Sequence, residues 1–175
     1  MKRIFSMALA AALLIAALSA CAPKSGGEHD DQGKQVDLAD FAQTVQEIHE
    51  FSGFLQRIDP EDADMGELMA QMLDMNYAGL SELDLGQLEL YMSMISFSSN
   101  ELALAQAKNA DDAAKVKEIF QARIDDKTTE GQNNYPEEVE LWQHNSALVS
   151  NGNYVMLVCA DDCDAIVEEF NTLFQ

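Results

Sequence analysis

The spacing of hydrophobic residues predicts two helices near the start of the folded part of the chain. From residue 38 to 58, apolar side chains recur at intervals of three, four and seven, which is a helical period. Asp37 precedes this stretch as an N-cap residue, and Pro60 ends it. The apolar residues of a second helical stretch are Met65, Leu68, Met69, Met72, Leu73 and Met75. Its methionines either fill gaps in a core, which we favour, or line a pliable binding groove.

From Leu88 onward the hydrophobic period changes to two, which is typical of half-buried strands. The predicted elements are, in chain order, strands over 88–94 and 101–108, a helix over 111–126, an irregular stretch around 131–143, strands over 147–150 and 153–159, and a helix over 162–174. Asn151-Gly152 joins the last two strands, and this dipeptide favours a tight hairpin because the turn needs residues with positive φ.

The order strand-strand-helix therefore occurs twice, and each hairpin and each amphipathic helix must bury one side. The economical arrangement is an α+β two-layer sandwich, with a four-stranded antiparallel sheet in ββαββα order and both helices on one face. An N-terminal helical appendage completes it. We expect a single globular domain over 37–175, with its helical part over 37–80 and its ββαββα part over 86–175.

The first 20 residues have the pattern of an export signal. Lys2 and Arg3 precede a run of 15 residues, from Ile4 to Leu18, in which Ser6 is the only polar side chain. The run is shorter than the roughly 20 apolar residues that a membrane-spanning helix needs. We therefore expect a cleaved signal peptide over 1–20 rather than an uncleaved anchor.

Leu18-Ser19-Ala20-Cys21 resembles the lipobox of bacterial lipoproteins. That resemblance implies diacylation of the Cys21 thiol and cleavage just before it, whereas a plain secretory site with a chance cysteine is the alternative. Two acyl chains anchor a protein stably, since each buried methylene contributes about 0.8 kcal/mol. The polar, glycine-containing residues 21–36 then form a lipidated N-terminus and flexible tether. The predicted location is the extracytoplasmic face of the cell membrane.

The charge of the chain limits its partners. Without residues 1–20 it has eight basic and 31 acidic residues, a formal charge of −23. Nucleic acid is excluded, because phosphate binding needs clustered lysine and arginine. Anionic lipid headgroups should also repel the domain, so we expect its contact with the membrane to be through the lipid anchor alone.

Sequence motifs for catalysis are missing. There is no nucleophile elbow, P-loop, dinucleotide glycine pattern or paired-histidine helix, so no catalytic residue and no cofactor is predicted. The acidic residues over 59–67 hint at cation binding but lack the order of a calcium loop, and we interpret them as a solvated turn with no metal. Cys159 and Cys163 form a disulfide after export or, as we favour, remain free thiols.

Arg123 is the one basic residue in this acidic chain that suggests a defined partner. It lies in the second half of the helix over 111–126, where Ile124 separates it from Asp125 and Asp126. Glu101 is a candidate partner because it opens the neighbouring strand, and Tyr135 because its segment must fold back over the helix end. Three roles stay open for Arg123: a structural clamp, a solvated residue that suits the helix dipole, or a contact to an anionic ligand.

From about Tyr77 to its end the chain resembles an uncharacterised family of lipoproteins from Gram-positive bacteria, domain of unknown function 4358. The residues that carry the resemblance are Tyr77-Ala78-Gly79-Leu80, Asn100-Glu101-Leu102-Ala103, Arg123, Tyr135-Pro136 and Gly152-Asn153-Tyr154-Val155. The family implies a membrane-attached extracytoplasmic domain without a known activity. We expect a non-catalytic binding or scaffolding lipoprotein of unidentified ligand. The alternatives are a structural or export-assisting subunit of a membrane complex and a carboxylate-based envelope hydrolase.

Overall fold

The computed structural model describes residues 35–94, 99–129 and 135–175. The predictions for the signal peptide, for the cleavage motif Leu18-Ser19-Ala20 and for Cys21 lie outside the described residues. The described residues all belong to one compact unit. Its elements are α1 (Leu38–Ile48), β1 (Leu55–Arg57), α2 (Gly66–Asn76), a 3₁₀ turn (Leu80–Glu82), β2 (Leu85–Ser93), β3 (Glu101–Ala107), α3 (Ala110–Thr128), α4 (Pro136–Asn145), β4 (Ser146–Asn151), β5 (Tyr154–Cys159) and α5 (Cys163–Thr172). Of the helices described, none is long and apolar enough to span a membrane.

The strands form one antiparallel sheet in the order β1-β2-β3-β5-β4. The mixed α+β class and the two predicted hairpins, β2 with β3 and β4 with β5, are confirmed. The sheet has five strands rather than the predicted four, because Leu55–Arg57 adds to the outer side of β2. The central strand β3 is buried along nearly its whole length, because apolar side chains pack against both of its faces.

Helices cover both faces of this sheet, so the prediction of a two-layer sandwich with helices on one face is wrong. Ala103 and Ala105 of β3 pack with α2, α3 and α4, whereas the alternating Leu102 and Leu104 pack with α1 and α5. The physical reason is visible in β3, where residues pointing to either side are apolar. A strand of that kind must be covered on both faces.

The predicted first helix is too long. Asp37 caps α1 as expected, with its carboxylate accepting from the backbone N–H groups of Ala39 and Asp40. The helix ends at Ile48, however, and the chain turns at Gly53, whose φ of 93° is in the left-handed region. Leu55 continues the helical spacing only by coincidence, because it belongs to β1.

Two further local predictions need correction. Part of the stretch expected to be irregular is α4, which begins with Pro136 at its first turn and buries Val139 and Trp142. In the second hairpin the two turn residues are Gly152 and Asn153, one position later than predicted. Gly152 has a φ of 54°, as a tight turn requires.

Candidate functional site

A buried ion pair joins the start of β3 to α3. Arg123 donates from Nε to Glu101 Oε1 at 3.1 Å and from Nη2 to Glu101 Oε2 at 2.8 Å. The side chains of Arg123 and Glu101 are only 6% and 3% exposed. Both carboxylate oxygens are thus engaged by one planar guanidinium, which is the strongest geometry available to an arginine and a carboxylate.

Tyr77 is the third member of this cluster. It follows α2 as the C-cap residue and donates its hydroxyl hydrogen to Glu101 Oε1. Burial, and next the charge of Glu101, raise the pKa of Tyr77 well above its ordinary value. The hydroxyl therefore stays protonated and acts as a donor to the carboxylate. We call Tyr77, Glu101 and Arg123 the buried triad.

Two aromatic rings flank the guanidinium of the buried triad. The Cζ atom of Arg123 lies 5.8 Å from the ring centroids of both Tyr77 and Trp142, within the range of a cation–π interaction. Trp142 donates from Nε1 to the backbone carbonyl of Ser99 at 3.1 Å. Burial alone would lower the pKa of Arg123, but the charge and hydrogen bonds of Glu101 raise it overall. Arg123 is therefore charged at any physiological pH.

The segment just before β3 is also held by polar contacts. Asn100 is buried, donates from Nδ2 to the carbonyl of Cys159 at 3.1 Å, and accepts at Oδ1 from the backbone N–H of Ser52 at 2.6 Å. Ser99 donates its hydroxyl hydrogen to Glu138, which also accepts from Lys127 Nζ at 2.9 Å. Side chains from α3, α4 and the β2–β3 connection therefore meet at one end of the sheet.

The buried triad can cross-link secondary structure, but its groups are committed to each other. Removing two charges from water costs several kcal/mol per ion, and this cost is repaid only when the hydrogen bonds are complete. Glu101 meets that condition through Arg123 and Tyr77. The arrangement favours the structural clamp among the three roles left open for Arg123, because an arginine side chain that is only 6% exposed presents little surface to a ligand.

A second cluster of the same three residue types lies on the opposite face of the sheet. Arg57 donates from Nε to Glu89 Oε2 at 2.9 Å and from Nη2 to Glu89 Oε1 at 3.1 Å, and Tyr91 donates its hydroxyl to Glu89 Oε2 at 3.1 Å. Asp59 accepts from Arg57 Nη1 at 2.5 Å. We call Tyr91, Glu89 and Arg57 the surface triad. This triad and the polar side of α1 together line a groove with a volume of about 410 Å³.

The predicted site residues fall in different places. Arg123 and Glu101 are brought together, whereas Tyr135 precedes α4 as its N-cap residue and is half-exposed. The tyrosine that donates to Glu101 is Tyr77. Sequence reasoning did not assign a role to Tyr77 or Trp142, because their contacts to Arg123 depend on how α2 and α4 pack. The only signal for Tyr77 was its position in a segment that carries the family resemblance.

Cys159 and Cys163 are both free thiols. They are buried on opposite faces of the sheet, Cys159 with the α3 side and Cys163 with the α5 side, which explains why their close spacing does not produce a disulfide. Burial raises the pKa of Cys159 far above its ordinary value and that of Cys163 to about 11. Both thiols are consequently protonated and unreactive at neutral pH.

The acidic stretch over 59–67 is held by local bonds. Asp62 Oδ1 accepts from the backbone N–H groups of Asp64 and Met65, and these bonds lower the pKa of Asp62. Asp59 contacts Arg57 and the backbone N–H of Glu61. Within residues 35–94, 99–129 and 135–175, no group of three or more histidine, cysteine, aspartate or glutamate side chains has the geometry of a metal site.

Comparison with known proteins gives one match. No curated protein and no solved structure matches the chain. The family model of a domain of unknown function, DUF4358, matches residues 59–160, which is more than half of the chain. The matched range contains the whole buried triad and all of the sheet except β1. The chain therefore belongs to the DUF4358 family.

Proposed function

We propose that this protein is a lipoprotein that Cys21 anchors to the extracytoplasmic face of the cell membrane, and that its domain binds or scaffolds a partner without catalysing a reaction. The observation that carries the anchoring is the order of the first 21 residues. A positive start, an apolar run too short to span and the sequence Leu18-Ser19-Ala20-Cys21 follow each other without interruption.

The interior of the domain supports a scaffolding role. The ionised groups of the buried triad satisfy each other, so the cluster fixes α2, β3 and α3 relative to one another. A buried polar network whose members are all bonded makes a core rigid. Together with a formal charge of −23, this favours a stiff domain that stands away from anionic lipid and presents its surface to a partner.

The anchoring is tested by Cys21→Ser, with Cys163→Ser as the matched control. The first change removes the thiol that would accept the diacylglyceryl group, whereas the second removes a buried thiol outside the export signal. We expect the control to fractionate with membranes and to carry the mass of two acyl chains. Cys21→Ser should be unprocessed or released. If the Cys21→Ser variant is cleaved before residue 21 and still fractionates with membranes, the proposal is wrong.

The binding role is tested by cross-linking in intact cells, followed by purification of the lipidated protein from detergent. A binding domain should yield adducts whose abundance depends on the partner's concentration. Stoichiometric co-purification with a membrane complex, unaffected by dilution, would make the protein a structural subunit instead.

A further inference from the structure

The two edges of the sheet differ in how well they are protected against pairing with another strand. The outer strand β1 has only three residues, one of which is Arg57, and Pro60 follows shortly after it. Short length, charge and nearby proline are the usual protections of an edge. The other outer strand, β4, has six residues, Ser146–Asn151, and none is charged or proline.

The unpaired backbone groups of β4 can be identified from its pairing with β5. Asn151 pairs with Tyr154 across the two-residue turn, and Asn145 accepts from the backbone N–H of Ala160 at 3.1 Å. In an antiparallel pair hydrogen-bonded residues alternate, so the odd-numbered residues of β4 bond to β5. The N–H and C=O groups of Ser146, Leu148 and Ser150 therefore point away from the sheet. The described part of the chain provides no backbone partner for them.

The absence of charge along this edge contrasts with the rest of the chain. No aspartate, glutamate, lysine or arginine occurs between Glu140 and Asp161, although the chain has 31 acidic residues. Ala147, Leu148 and Val149 are only half-buried. A strand added to β4 would therefore gain backbone hydrogen bonds and cover apolar side chains without burying a charge.

A small acidic pocket lies at the end of the sheet where β4 begins. Its volume is about 250 Å³, and it is lined by His144, Asn145, Asp161, Asp162, Cys163, Asp164 and Ala165. Asn145 directly precedes β4 and Asp161 follows shortly after β5 ends at Cys159, so the pocket lies at the end of the β4–β5 pair where a strand added antiparallel to β4 would finish. The carboxylates of this pocket would attract a basic side chain that extends beyond an added strand.

We propose that β4 and this pocket bind an extended segment of a partner protein, which adds antiparallel to β4 and carries lysine or arginine just after its strand. A strand antiparallel to β4 runs from the Asn151 end of β4 toward its Ser146 end. The residues that follow such a strand therefore lie at the end of the sheet where Asp161 and Asp164 are found. A second copy of this chain is the less favourable occupant, because each copy has a formal charge of −23. This inference rests on the proposed binding function and names the partner's chemistry.

The test measures fluorescence anisotropy of a labelled peptide added to the full mature protein in detergent. The peptide has six alternating threonine and valine residues followed by three lysines, and the matched control has the three lysines before the strand. We expect the first peptide to bind about tenfold more tightly. Changing Asp161 and Asp164 together to asparagine should reduce its affinity to that of the control.

Backbone pairing is tested separately with Ser150→Pro, which removes an outward N–H from an exposed position, and with Ser150→Thr as the control. We expect about tenfold weaker binding for the proline variant only. If that variant does not fold, a peptide N-methylated at alternate residues gives the same test with the native protein.

Four results overturn the proposal: no binding, equal binding of the two peptides, no effect of N-methylation, or light scattering that shows a dimer which Ser150→Pro dissociates. Since the peptide assay takes place in detergent solution, its failure leaves the anchoring result for Cys21→Ser unaffected.

Discussion

The buried triad and the surface triad use the same three residue types in the same way, yet their surroundings differ. In each, an arginine binds both oxygens of a glutamate while a tyrosine hydroxyl donates to one of them. The arginine of the buried triad is 6% exposed, whereas the arginine of the surface triad is 46% exposed. Similar distances therefore correspond to different amounts of water around the charges.

This difference teaches that hydrogen-bond geometry does not set the contribution of an ion pair to stability. At the surface, water screens both charges and solvates either one if its partner is lost, so an exposed pair contributes only about 0–1 kcal/mol. In the interior, loss of one partner leaves the other charge without either water or a counterion. Substitutions in the two triads should therefore have unequal effects.

Arg123→Ala should have the largest effect. Among the described residues, it leaves buried Glu101 with only the Tyr77 hydroxyl as a side-chain donor, and we expect a loss of about 3–5 kcal/mol in the free energy of unfolding. Urea denaturation followed by circular dichroism measures this loss as a shift of the midpoint. A shift equal to that of Arg57→Ala would show that burial does not distinguish the triads.

Tyr77→Phe should have the next largest effect. It keeps the ring that packs on Phe120 at a centroid distance of 5.5 Å but removes the hydroxyl that donates to Glu101. We expect a loss of about 1–3 kcal/mol, the typical penalty for an unsatisfied buried partner. The matched control is Tyr91→Phe, which should change stability by less than about 0.5 kcal/mol. A larger loss for the control than for Tyr77→Phe would contradict the comparison.

Alkaline pH should also separate the two tyrosines. Folding raises the pKa of Tyr77 far more than that of Tyr91, which is only partly buried. The contribution of Tyr77 is complete below its unfolded pKa of about 10 and is lost as pH rises toward its folded pKa, by up to about 1.4 kcal/mol per pH unit. Denaturation at several pH values between 9 and 11.5 should show a steeper fall for the native protein than for Tyr77→Phe. Cys159 and Cys163 contribute equally to both proteins, so the difference between the two curves isolates Tyr77.

Arg57→Ala should have the smallest effect of these changes. We expect a loss of at most about 1 kcal/mol, decreasing further in 1 M salt because water and ions reach Arg57, whose side chain is 46% exposed. Denaturation at low and high salt provides the measurement. If the loss exceeds 3 kcal/mol or is independent of salt, Glu89 is less accessible to water than its 11% exposure indicates.

Much of the local structure could be predicted from residue spacing. The period of two located β2 and β5, and the helical period located α2, α3 and α5, because one apolar side is enough to identify each element. Three features were missed for related reasons. Leu55 fits a helical spacing by coincidence, α4 is too short and polar for a clear period, and β1 has only three residues.

The candidate site was less accessible to sequence reasoning. The rarity of basic residues drew attention to Arg123, and the position of Glu101 at the start of a strand suggested a partner. Nothing local could select Tyr77 over Tyr135 as the tyrosine of the cluster, since that choice depends on the packing of α2 against α3. The surface triad was likewise missed, because Arg57 was assigned to a helix and Glu89 to an exposed strand position.

The sequence by itself determined the types of most elements, the two hairpins and the family, since these depend on neighbouring residues and on short motifs. Only the tertiary structure decided that helices cover both faces of the sheet and which charged residues become buried together. The physical reason is that burial is a property of the assembled layers. A glutamate at the start of a strand has the same local pattern in water or in a core, and only the helices packed over it decide which.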